Sequence, residues 1–133
     1  MTGTIHHIDL TVSDLARSTQ FYDQVMPLMG FRRSDDVPEG PIWAGTSCEI
    51  GLVAARADAH AHDRFTPGLH HLAFAAPDRA AVEKLHGSLM ALGVRILDAP
   101  AEYPQYAPGY YAVFFTDPDG IKLEYVHTPR WPG

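Results

Sequence analysis

His7-Ile8-Asp9-Leu10-Thr11-Val12 and His71-Leu72-Ala73-Phe74-Ala75 each place a histidine ahead of apolar residues at every second position, and the two stand 64 residues apart. The same offset separates Asp14 from Asp78, each just past its apolar run. Leu28-Met29-Gly30-Phe31-Arg32 and Ala91-Leu92-Gly93-Val94-Arg95 align at an offset of 63. Three landmarks at nearly one spacing mark an internal duplication, and a duplication decides the fold before any single element is assigned. The chain reads as two copies of one supersecondary unit.

Each copy opens on a strand. Ile8, Leu10 and Val12 alternate with His7, Asp9 and Thr11, and Leu72 and Phe74 alternate with His71, Ala73 and Ala75, the period of two expected for a half-buried strand. A helix follows. Val82, Leu85, Leu89 and Leu92 form one amphipathic stripe in the second copy; Leu15, Phe21, Tyr22, Val25 and Met26 form the matching face in the first. Ser13 or Asp14, and Asp78, stand at N-cap positions, while Pro27 with Gly30, and Gly93, mark the helix exits. Three strand-like stretches come next, at about 31–35, 41–46 and 48–54, then at about 94–98, 109–116 and 121–127. Asp117-Pro118-Asp119-Gly120 is a strong tight-turn signal between the last two. The unit is βαβββ, used twice, with module 1 at about 4–54, a linker at about 55–68 and module 2 at about 69–128, within a single domain spanning 1–133.

Composition narrows the function classes. The 133 residues are 46% hydrophobic and 20% charged, which is a folded globule of one domain rather than a disordered tail. A net charge of -6 with no basic run argues against a nucleic-acid binder. No apolar stretch approaches the roughly 20 residues that span a bilayer, and no signal-peptide pattern is visible at Met1-Thr2-Gly3-Thr4-Ile5-His6-His7. A lone cysteine, Cys48, excludes an internal disulfide and reads as a buried, inert thiol. A cytoplasmic location is expected. The unusual feature is histidine: of eight, four form the doublets His6-His7 and His70-His71.

Three segments carry a family likeness: His7 to Leu15 leading into Ser18-Thr19-Gln20-Phe21-Tyr22, the run Gly68-Leu69-His70-His71-Leu72-Ala73-Phe74, and Phe115-Thr116-Asp117-Pro118-Asp119-Gly120-Ile121-Lys122-Leu123-Glu124. Through them nearly the whole chain resembles the vicinal-oxygen-chelate superfamily, the glyoxalase/bleomycin-resistance/dioxygenase group. The resemblance implies an α+β fold in which paired βαβββ modules curl into a cupped, partly closed mixed sheet with helices outside. It also implies a metal in the cup. Motif by motif, the ligand positions fall on His7, His71 and Glu124. The fourth position used by glyoxalases and epimerases falls on Gly51, which has no side chain to offer; a two-residue register shift would bring Glu49 there instead.

Strand parity agrees with part of this assignment. His7 lies opposite Ile8, Leu10 and Val12, His71 opposite Leu72 and Phe74, and Glu124 opposite Leu123 and Tyr125, so all three face away from the helix-packed core. Two imidazoles and one carboxylate leave coordination positions open and favour Fe(II), with Mn, Ni or Zn as alternatives. Asp9 and Thr11 share the His7 face and are candidates to orient a ligand or contact substrate. Tyr103-Pro104-Gln105-Tyr106-Ala107-Pro108-Gly109-Tyr110-Tyr111 is either a lid or aromatic wall or a rigid loop, with Tyr106 a candidate substrate contact and Tyr110 or Tyr111 the candidate proton-transfer group. Trp43 walls the cup or fills an interface, and Glu49 is an exposed or substrate-facing carboxylate if not a ligand. His6 and His70, with opposite parity, read as packing or capping residues at the sheet rim. His60, His62 and Asp63 read as a mobile polar linker, His86 as helix surface, and His127 as following the last strand.

The resemblance points to a divalent-metal-dependent enzyme acting on a small molecule chelated through two adjacent oxygens. With three ligands it leans to extradiol-type dioxygenase chemistry over glyoxalase-type or epimerase-type lyase or isomerase chemistry. The alternatives are a metal-free protein that sequesters a bleomycin-type antibiotic in the same cup, and an inactive or partner-binding homologue. Short members of this superfamily usually pair, so a homodimer is expected.

Overall fold

In the computed structural model the described residues are 2–129; Met1 and residues 130–133, which the sequence reading includes in its single domain, lie outside them. Two compact units divide between Ala61 and His62, inside the stretch read as a linker.

The first unit runs β1 (His7–Val12), α1 (Leu15–Val25), a 3-10 turn (Met26–Met29), β2 (Arg32–Arg33), β3 (Ile42–Ala44) and β4 (Glu49–Ala54). The second runs β5 (Leu72–Ala75), α2 (Arg79–Ala91), β6 (Ile96–Glu102), β7 (Tyr111–Thr116) and β8 (Lys122–His127). Strand orders are β1-β4-β3-β2 and β5-β8-β7-β6. In each sheet the first strand pairs in parallel with the last, and the other pairings are antiparallel. This is the α+β, twice-used βαβββ architecture that the repeat implies, with both sheets open.

The same local chemistry starts and stops both helices. Asp14 accepts a hydrogen bond from the Arg17 backbone N–H at 3.1 Å, and Asp78 one from Ala81 at 2.7 Å, satisfying one orphan donor each. Gly30 and Gly93 then leave the helical segments at φ of 90° and 74°, a left-handed backbone that glycine adopts without steric cost. Each helix lies on its own sheet. Leu10, Val12, Tyr22, Val25, Trp43, Ile50 and Leu52 are buried in the first unit; Val82, Leu85, Leu89, Val113, Phe115 and Leu123 are buried in the second. Leu92, placed on the α2 stripe by its spacing, is the C-cap residue and stays exposed. No helix among the described residues is long and apolar enough to cross a membrane.

Two strands depart from the expected bounds. β6 continues past Asp98 through Pro100 to Glu102, with register shifts against β7. A proline has no N–H for a ladder, but β6 is an edge strand, where an irregular partner is tolerated. β2 is only two residues long, Arg32–Arg33, and its Arg33 side chain pairs with Asp23 and Asp36 at 2.9 and 3.0 Å.

Candidate functional site

β8 carries Leu123 and Tyr125 on its helix side and Glu124 on the other, and only 1% of Glu124 is exposed. A carboxyl buried this far must find partners. Its two oxygens find different ones. Oε1 lies 3.1 Å from Nε2 of His71, which precedes β5 directly, and Oε2 accepts the hydroxyl of Tyr110, which precedes β7. Burial, with the hydrogen bond to Glu124 second, raises the Tyr110 phenol well above the ordinary tyrosine value, so it keeps its proton and acts as a donor. His71 is fixed from behind. Its Nδ1 stands 2.8 Å from Nδ1 of His70, so one ring carries the hydrogen there and the other accepts it. Desolvation and the neighbouring His71 lower the His70 pKa, which keeps that ring neutral and able to take either role.

An aromatic surface continues from this cluster on the same face of the sheet. Tyr103 stacks on Tyr106 at 5.6 Å with 16° between the rings, Tyr110 meets both edge-on, and Phe114 lies 6.4 Å from the His71 ring. Ala112, Phe114 and Val126 form the buried floor against which Tyr103 and Tyr110 pack. Tyr106 is 63% exposed at the end of this wall.

The first unit repeats the histidine arrangement with a different carboxylate. His7 Nδ1 stands 2.9 Å from His6 Nδ1, and His7 Nε2 lies 3.9 Å from Asp9 Oδ2 on the same strand. Glu49 is the register partner of His7, and Gly51 that of Asp9. His6 and His70 therefore do more than cap a rim: each engages the Nδ1 of the histidine beside it. The signal was the doublet itself, repeated at one offset.

Two candidates turn away from this face. Trp43, expected to wall the cup or fill an interface, is completely buried in the first unit, its indole N–H donating to Asp23 at 3.0 Å and its ring packed on Tyr22. The parity of β3 puts it on the helix side. Tyr111, paired with Tyr110 as a proton-transfer candidate, points to α2, where its hydroxyl meets Glu83 and Arg79 lies over its ring. One residue along a strand reverses the face, so only Tyr110 reaches Glu124. Cys48 is a half-buried free thiol, and His60, His62 and His127 lie apart from the cluster, in the exposed linker and at the end of β8.

Among the described residues no three His, Cys, Asp or Glu side chains gather closely enough to hold one metal ion. The second unit supplies a pair. Ligand atoms about 2.1 Å from an ion stand roughly 3.0 Å apart at a right angle and roughly 3.4 Å at a tetrahedral one. The 3.1 Å between His71 Nε2 and Glu124 Oε1 matches two adjacent coordination positions. An imidazole held at Nδ1 and a carboxyl group held at its far oxygen offer two donor types that divalent ions accept.

The chain is 33% identical over 124 residues to the uncharacterized protein YqjT of Bacillus subtilis (strain 168), covering 92% of this chain and 97% of that protein. Among solved structures, a candidate glyoxalase from Bacillus halodurans superposes with a TM-score of 0.81 at 28% identity, covering 96% and 97% of the two chains. The lactoylglutathione lyase of Agrobacterium tumefaciens superposes at 0.72 with 20% identity and 98% coverage of both, a likeness of fold alone. A family model matches residues 4–125, from ahead of β1 to the far side of Glu124, and the chain accordingly belongs to the Glyoxalase/Bleomycin resistance protein/Dioxygenase superfamily.

Proposed function

We propose that this protein is a divalent-metal-dependent enzyme acting on a small molecule that binds through two adjacent oxygens. The observation that carries the reading is the His71–Glu124 pair, 3.1 Å apart and held from both sides by His70 and Tyr110. His71 and Glu124 would hold the ion, with His7 the third ligand given by the family pattern. Fe(II) is the first ion to test, then Mn(II), Ni(II) and Zn(II). A bound ion would supply Lewis-acid polarisation of the substrate oxygens.

The protein's own groups divide the remaining work. Glu124 keeps one oxygen on the Tyr110 hydroxyl, which stops the carboxylate from swinging away from His71. Tyr110, with its phenol held protonated, is a hydrogen-bond donor at the buried end of the aromatic wall. Tyr103, Tyr106 and Phe114 offer flat apolar area to a planar or ring-bearing substrate and exclude water from the carboxyl end. Extradiol cleavage of catechols is the first reaction to assay, since the lean of the family pattern is towards it, with lyase and isomerase substrates next.

Metal content measured by elemental analysis tests the reading. Wild-type protein reconstituted with Fe(II) should hold the ion stoichiometrically, and His71→Ala and Glu124→Gln should lose it. Oxygen uptake across a catechol panel, or its absence with turnover of a 2-oxo aldehyde adduct, then assigns the reaction. The stacked Tyr103–Tyr106 wall favours one second reading, a metal-free protein that sequesters an aromatic antibiotic. Wild-type protein that takes up no divalent ion, yet binds bleomycin-type ligands, would overturn the enzyme reading in favour of that one.

A further inference from the structure

The second unit carries two cations that no carboxylate answers. Elsewhere Arg33 is bound by Asp23 and Asp36, Arg79 by Glu102, and Arg56 stands loosely against Asp58. Lys122 and Arg64 form no ion pair among the described residues. In a chain with 16 acidic side chains against 10 basic ones, that is not for want of carboxylates.

Lys122 opens β8 and shares the face of Glu124, two residues on, while Leu123 between them is buried on the helix side. Its Nζ stands 4.6 Å from the centre of the Phe114 ring, and that ring lies 6.4 Å from His71 and 5.4 Å from Tyr103. The aromatic surface thus ends at an ammonium. A cation over a phenyl face is weakly held there, and the contact uses none of its three N–H donors. Arg64 approaches the same imidazoles from the segment ahead of β5. Its guanidinium carbon lies 4.9 Å over the Phe65 ring, which meets His70 at 5.6 Å in a T-shaped contact. Its Nε is buried and has no acceptor among the described residues. A buried N–H on a charged group is unfavourable until an acceptor reaches it. Both charges act on one ring: after burial and His71, Lys122 and then Arg64 lower the His70 pKa.

We propose that Lys122 and Arg64 form an anion subsite, which takes a carboxylate or phosphonate group of the small-molecule ligand at the end of the aromatic surface beside His70 and His71. A guanidinium offers directed N–H donors and an ammonium a point charge, and anionic oxygens accept from both. The ligand so defined has a flat body on the tyrosine wall and a negative group at the Lys122 end. The inference deepens the proposed function by naming the charge on its small molecule, and it rests on that reading for the reaction served, not for the binding itself.

Binding to metal-free protein tests it, by titration calorimetry at low salt with three probes of one shape: naphthoate, naphthylphosphonate and the neutral naphthamide. At least one anion should bind about tenfold or more tighter than the amide, the scale of one charge-assisted hydrogen bond, and added salt should shrink that margin. Whichever anion binds more tightly identifies the group the subsite takes. Lys122→Met keeps an apolar stem over Phe114, and Arg64→Met keeps one over Phe65. Each should weaken anion binding about fivefold or more and leave naphthamide binding unchanged, a selectivity that loss of packing alone would not produce. Thermal melts check that the variants fold. Equal affinity for anions and amide, no binding of any probe, or an anion preference that survives the double substitution would each overturn the proposal. Wild-type protein that prefers the anion but takes up no Fe(II) keeps the subsite and removes the metal-dependent reading. Fe(II) uptake without an anion preference does the reverse.

Discussion

Tyr110 and Tyr111 are chemically identical neighbours that the fold separates completely. One donates to Glu124 on the aromatic face; the other reaches Glu83 and lies beneath Arg79 on the helix face. Removing the Tyr110 hydroxyl leaves a buried carboxylate oxygen short of its donor, which costs about 1–3 kcal/mol. Tyr110→Phe should therefore lower the unfolding free energy of metal-free protein at pH 7 by that amount, seen as a lower urea midpoint with little change in slope. Alkaline pH gives a second readout. Tyr103, Tyr110, Tyr111 and Tyr125 all hold their protons more tightly in the fold than a free tyrosine does: burial is the leading cause for Tyr103, Tyr110 and Tyr125, and the Glu83 bond for Tyr111. Above the ordinary value of about 10 the unfolded chain has lost protons that the native chain retains, so stability falls as pH rises. This contribution is complete below pH 10, and Tyr110→Phe, by deleting the most strongly raised group, should flatten the loss between pH 9 and 11. An unchanged midpoint at pH 7 together with an unchanged alkaline slope would show that the Tyr110–Glu124 bond is not formed in solution.

Helix α1 contains one residue that its own element does not explain. Ser18 is fully buried against the sheet, and its hydroxyl has no hydrogen-bond partner among the described residues. An unpaired buried hydroxyl is unfavourable, and serine is a poorer helix former than alanine. Ser18→Ala should stabilise the protein by about 1–2 kcal/mol, seen as a higher thermal midpoint; a lower one would mean that the hydroxyl has a partner in solution. This position also marks how far the elements were legible in the sequence. The alternation at Ile8, Leu10 and Val12, the caps at Asp14 and Asp78, and the exits at Gly30 and Gly93 are local signals, and each appears where its chemistry places it. Trp43 was not legible, because an aromatic residue in a three-residue strand carries no period from which to read its face.

At the scale of the chain, the duplication makes a statement about cutting it. Every strand ladder closes within one unit: the first sheet is complete at Ala54, and the second begins at Leu72. Between them the segment from Arg56 to Asp63 is exposed, and the Arg56 side chain is 90% exposed with only a loose contact to Asp58 at 3.6 Å. Proteases prefer exposed loop backbone free of ladder hydrogen bonds. Arg17 and Lys84 sit in helices and Lys122 in a strand, where cleavage first requires local unfolding. Limited trypsin digestion should therefore cut first, among the described residues, after Arg56, giving a 56-residue piece and its complement. The nick removes no strand pairing, so the nicked protein should keep its far-UV circular dichroism when the two pieces are left together. An earlier cut at Arg17, Lys84 or Lys122 would show that an element frays before the connector does. A collapse of the spectrum on nicking would show that the two βαβββ units need a continuous chain to hold the sheets that each completes by itself.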